Sequence, residues 1–118
     1  MVAKAATANT VAEVPTPSVY TGSIACSYTH NITVYRRVGI VTVSGYVSLS
    51  SSGPVTVGTI DAGYRPKYPV YGICLTNCNS TNWRLSGMFC IDSSGVLTIT
   101  VDNTGNLFFK VSAILKDY

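Results

Sequence analysis

The side chains able to act as nucleophiles, acids, bases or metal ligands are few. They are Cys26, Cys74, Cys78 and Cys90, the single histidine His30, and the carboxylates Glu13, Asp61, Asp92, Asp102 and Asp117. Catalysis of the Ser-His-Asp kind needs His30 beside an acid and a serine in a marked setting, and no G-x-S-x-G occurs. A glycosidase pair is defined by separation in space, which spacing along the chain does not encode. Asp92 and Asp102, however, open the stretches Asp92-Ser93-Ser94-Gly95 and Asp102-Asn103-Thr104-Gly105, where Asp serves the backbone of a turn. No phosphate-cradling glycine loop and no calcium loop is present. The expectation is a protein that is not an enzyme and needs no cofactor.

The spacing Cys74-x3-Cys78 followed by Cys90 loosely resembles a zinc site, with His30 as a further ligand. The even cysteine count also permits disulfides, for example Cys74 with Cys78. Zinc ligands need tight turns, whereas Cys26, Cys74 and Cys90 fall inside strand patterns. Free, buried thiols acting as small hydrophobes and no metal are therefore expected. The triplets Asn31-Ile32-Thr33 and Asn79-Ser80-Thr81 are glycosylation sequons that arise readily by chance in a Ser/Thr/Asn-rich chain, and each marks a polar, exposed site.

The segment Thr76-Asn77-Cys78-Asn79-Ser80-Thr81-Asn82-Trp83-Arg84 concentrates amides, an indole and a guanidinium in what reads as a polar loop. Amides offer paired donors and acceptors, and an aromatic face packs on the apolar side of a sugar ring. Asn77, Asn79, Asn82, Trp83 and Arg84 are thus candidate ligand-binding residues, suited to a neutral glycan better than to a charged polymer. The competing role for Trp83 is to anchor the core at a strand start. Tyr64, Tyr68 and Tyr71 likewise either line a groove or pack against a neighbouring strand or subunit.

The elements that must position these residues are strands. Val occurs 15 times and Ile 8 times, Glu once and Gln never, so β-branched residues displace helix formers. Ile32, Val34, Arg36 and Val38 alternate with Thr33, Tyr35 and Arg37. After a turn at Gly39, the series Val41, Val43, Gly45, Val47 and Leu49 alternates with Thr42, Ser44, Tyr46 and Ser48, which is a hairpin signal. Ser50 to Pro54 reads as a loop, Val55 to Ile60 as a strand, Asp61 to Pro69 as an irregular crossing and Val70 to Leu75 as a strand. Trp83, Leu85, Phe89 and Ile91 form one stripe, Leu97, Ile99 and Val101 a second, and Leu107, Phe109, Val111, Ala113 and Leu115 a third. About eight strands of five to nine residues with no helix between them predict an antiparallel β-sandwich or jelly roll and exclude a parallel α/β sheet.

Ahead of these strands, residues 1–17 are Ala-rich and end in Val14-Pro15-Thr16-Pro17, an extended linker. They read as a stalk remnant or leader, and 18–118 as the domain. The net charge is +3, too small for a binder that neutralises many phosphates. No apolar run approaches about 20 residues, and the N-terminus lacks a signal-peptide pattern, so a soluble chain without an export address is expected. Only 11% of residues are charged, against about 25% in an average domain. The surface is therefore Ser/Thr/Asn-rich, covered by copies of itself, or both.

Arg36-Arg37-Val38-Gly39-Ile40-Val41-Thr42-Val43-Ser44-Gly45-Tyr46-Val47-Ser48 resembles the recurring R-x-G-x-V-x-V-S-G-x-V hairpin of bacteriophage tail-fibre and related structural proteins. Gly58-Thr59-Ile60-Asp61-Ala62-Gly63-Tyr64-Arg65-Pro66-Lys67 is similar to the G-T-L-P-A-G-Y-R-P crossing of their C-terminal domains. Ile91 to Ile99 and Phe109 to Leu115 resemble their following hairpin and closing strand. The likeness spans Val34 to Leu115. It implies a homotrimeric β-sandwich head at a virion fibre tip, made in the bacterial host cytoplasm, attached to other tail proteins and adhering to a bacterial surface polysaccharide. Neither nucleic acid nor membrane is an implied partner. The alternative is a purely structural virion part, a capsid decoration or fibre connector without a receptor. The sequence departs from the family pattern at Asp61, where Pro is usual, and in its four cysteines. At the crossing, Gly63 is expected to take a positive φ, Pro66 to hold Arg65 extended, and Arg65 to pair with Asp61 or donate to carbonyls.

Overall fold

The computed structural model describes residues 18–79 and 82–118; the Ala-rich segment 1–17 lies outside the described residues. The chain forms β1 (Tyr20–Gly22), β2 (Ile24–Cys26), β3 (His30–Arg37), β4 (Ile40–Leu49), β5 (Gly53–Ile60), a 3₁₀ turn (Ala62–Tyr64), β6 (Val70–Asn79), β7 (Asn82–Ile91), β8 (Val96–Val101) and β9 (Gly105–Ile114). These nine strands make one sheet in the order β1-β3-β4-β9-β6-β7-β8-β5-β2, with every pairing antiparallel. Among the described residues there is no α-helix.

The sheet closes on itself through its N-terminal segment. β1 pairs with β3 at one end of the strand order and β2 with β5 at the other, although only Ser23 separates them. Asp61 fixes that corner. Its Oδ2 accepts hydrogen bonds from the Ser23 amide (2.9 Å) and hydroxyl (3.1 Å), and its own amide donates to the Ser23 carbonyl (3.0 Å). Asp61 is thus the clasp between the two sheet ends. The break at Ser23 also explains why there are nine strands and not eight, two of them only three residues long.

The crossing after β5 is tied down residue by residue. Arg65 is extended ahead of Pro66 (φ −86°, ψ 144°), as the steric demand of proline requires. Its Nε donates to the Ile60 carbonyl at 2.9 Å, so of its two expected partners it takes the carbonyl. Pro66 is fully buried and bridges Leu115, flanked by Lys67 N to Ile114 O (2.8 Å) and Lys116 N to Arg65 O (2.9 Å). Arg36 lies over the rings of Tyr20 and Tyr64, at 5.5 and 5.4 Å, and donates to the Gly63 carbonyl (3.0 Å). Gly63 itself does not have a positive φ. It sits in the 3₁₀ turn, where any residue can adopt the backbone, so the sequence expectation for it is corrected.

Alternation sets the core. Val41, Val43, Val47 and Leu49 of β4, Leu97, Ile99 and Val101 of β8, and Leu107 and Phe109 of β9 all point inward and are buried. The Phe89 ring of β7 meets Phe109 of β9 with centroids 5.3 Å apart. Gly45 interrupts the β4 series because a Cβ there would lie 1.9 Å from the Asn31 carbonyl oxygen. Its φ of +134° is also one that side chains rarely adopt.

One expected stripe is broken. Trp83, Leu85, Phe89 and Ile91 share sequence parity, yet Phe89 and Ile91 are buried while Trp83 and Leu85 are exposed. The pairing runs Cys74↔Gly87 and then Leu75↔Leu85, leaving Ser86 as a bulged extra residue. One extra residue sends everything beyond it to the opposite face.

Candidate functional site

The expected polar loop at Thr76–Asn82 is instead the end of a hairpin. β6 runs on through Asn79 and β7 begins at Asn82, with Asn77 paired to Trp83 and Asn79 to Asn82. Cross-strand pairing has overridden the turn preference of asparagine, and a second irregularity between Asn77 and Asn79 absorbs the extra residue. The side chains of Asn77, Asn79 and Asn82 lie outside the described residues, so of the predicted set the structure places Trp83 and Arg84.

Those two neighbours are consecutive in a strand and serve opposite faces. Trp83 is 52% exposed and meets the Phe108 ring edge-on at 5.2 Å, while Phe108 also touches Tyr46 at 5.1 Å. Trp83 is therefore not a core anchor. Arg84 turns toward the β8–β9 connection, where its Nη2 donates to Asn103 Oδ1 at 2.6 Å. Asn103 Nδ2 donates in turn to the Leu85 carbonyl at 3.2 Å. The connection is held against β7 from below, because the Ser86 carbonyl accepts from the amides of Asp102 (2.7 Å) and Asn103 (3.0 Å). The bulge thus both reorients Trp83 and presents the carbonyl that anchors the turn.

Together these elements enclose an open cavity of about 490 Å³ lined by Thr76, Arg84, Asn103, Thr104, Gly105, Asn106 and Phe108. Its walls offer a guanidinium, two carboxamides, two hydroxyls and an aromatic ring. Among the described residues, no carboxylate, histidine or thiol lines it. It is equipped to bind through hydrogen bonds and a ring face. Sequence reasoning found Arg84 but missed Asn103, Thr104 and Asn106. The trace of them in the sequence was the polar run Asp102-Asn103-Thr104-Gly105-Asn106, which reads as a turn.

The remaining candidates are dispersed. His30 Nδ1 lies 2.8 Å from the Tyr28 carbonyl oxygen, to which Cys26 Sγ also donates at 3.7 Å. Asp92 caps its own turn, accepting at Oδ1 from the amides of Ser94 (2.9 Å) and Val96 (3.0 Å). Cys26, Cys74 and Cys90 are free thiols on β2, β6 and β7. Cys74 and Cys78 share β6 four residues apart, roughly 13 Å in extended chain, which is too far for a disulfide. Cys74 is fully buried, and burial pushes its thiol up to about 12. Among the described residues, no three of His, Cys, Asp and Glu gather as metal ligands would. Tyr64 packs, with its hydroxyl donating to the Thr21 carbonyl at 2.9 Å, whereas Tyr68 and Tyr71 stand exposed. Compared with known proteins, the chain matches no family model and no curated protein.

Proposed function

We propose that this chain is the receptor-binding head of a bacteriophage tail fibre, a homotrimer that holds a bacterial surface polysaccharide in the cavity between the β6–β7 hairpin end and the β8–β9 turn. The single observation that carries the reading is the composition of that cavity: Arg84, Asn103, Thr104 and Asn106 beside Phe108, with hydrogen-bonding donors and acceptors together. Sugar hydroxyls need such mixed donors and acceptors, and the Phe108 ring supplies the aromatic face. The family likeness over Val34 to Leu115 supports the virion setting. On this reading the rolled sheet is the jelly-roll sandwich of a fibre head, and adhesion makes or breaks no bond. Three weak sites on one tip gain retention through effective concentration.

The test is retention of the labelled domain on a panel of bacterial surface polysaccharides and on the cells that carry them. The wild-type protein should be retained by at least one polysaccharide, and Arg84→Ala should weaken that retention about tenfold or more while folding normally. A domain that stains no bacterium yet attaches to virions is the structural fibre part and not the adhesin.

A further inference from the structure

The outer face of the β6–β7 hairpin carries Tyr71, Ile73, Leu75, Trp83, Leu85 and Met88, all exposed, with Tyr71 at 71% and Met88 at 59%. Ile73 stands opposite Met88 and Leu75 opposite Leu85, so the six form one continuous strip. Their fractional exposures leave on the order of 600 Å² uncovered, the upper end for a patch on a monomer and near the ~800 Å² that each partner contributes to a stable interface. The inner face of β6 is apolar as well, with Cys74 buried and Val70 packed on the core. A strand apolar on both faces is built to be covered on both.

We infer that this strip is where sister copies meet, three copies of β6–β7 packed around a common axis. The charge pattern selects a second copy of this chain as the occupant. On a symmetry axis each residue faces its own image, so any charge there meets a like charge, and the strip carries none. Lys110 stands on β9 at the rim of the groove shared with Ile73 and Leu75. The inference rests on the trimeric reading above and gives that assembly its contact face.

The mass of the wild-type protein and two variants, measured by light scattering, tests it. Wild type and Ile114→Lys, an equally exposed change on β9, should run at three times the 12.5 kDa chain mass, and Ile73→Lys should run as a monomer. A trimer that survives Ile73→Lys, or one that Ile114→Lys dissociates, overturns the face and leaves the trimer standing. A monomeric wild type overturns both, and leaves polysaccharide retention to decide the adhesin reading separately. Peroxide oxidation of Met88 in the unaltered protein gives a second readout that needs no variant. It should be at least about tenfold slower in the native assembly than in urea, and equal rates would overturn the inference.

Discussion

At the scale of single residues, the chemistry of this chain is mostly chemistry withheld. Cys74 is the clearest case, a thiol enclosed on the inner face of β6 whose ionisation burial pushes up to about 12, from an ordinary value of 9.0. Two outcomes follow. At pH 8, peptide mapping after treatment with a thiol reagent should find Cys26 modified in the folded protein and Cys74 modified only after denaturation. In alkali the unfolded chain loses the Cys74 proton first, so stability is undiminished below pH 9 and falls as pH rises toward 12. The slope is at most about 1.4 kcal/mol per pH unit. Because tyrosines titrate in the same range, the measurement is the difference between wild type and Cys74→Ala by urea unfolding. That difference should shrink steadily above pH 9, and one that stays constant to pH 11 would contradict the burial of this thiol. Asp61 shows another side of the same scale. Its carboxylate does structural work, clasping Ser23 where the sheet closes.

At the scale of elements, hairpins and their turns decide which residues meet. The β3–β4 connection places Val38 at φ 47° and Gly39 at φ 78°, the two-residue turn with both centres left-handed. Valine is a poor tenant there, because its branched Cβ crowds the carbonyl in that conformation. Val38→Asn should therefore raise the unfolding free energy by about 1 kcal/mol, since Val38 is 60% exposed and little burial is lost. A thermal melt that falls on this substitution would mean that the valine side chain holds something the turn needs. Most of these elements were legible in the sequence, because alternation with Gly, Asn and Asp punctuation is a local signal. The stripes of β4, β8 and β9 lie inward as their spacing predicts. What was not legible is the bulge at Ser86. Nothing local marks it, and it turns Trp83 and Leu85 outward from a stripe whose parity places them inside. The cavity was half legible for a related reason. Arg84 stands out by type, but Asn103 and Asn106 join it only because the β8–β9 turn folds back against β7, a contact between segments about twenty residues apart.

At the scale of the whole molecule, the proposed assembly hides the strip on β6–β7 and the proposed adhesin presents the cavity of Arg84, Asn103, Thr104 and Asn106. The bulge at Ser86 links the two, since it sends Leu85 outward and anchors the Asp102–Asn103 turn through its carbonyl. The apolar strip and the cavity thereby both depend on one local irregularity. The most direct measurement is amide chemical-shift mapping of the intact protein titrated with a polysaccharide that it retains. Perturbations concentrated at Thr76, Arg84 and Asn103 to Asn106 are expected. Perturbations confined to other loops, or retention of no polysaccharide at all, would contradict a saccharide-binding end cavity.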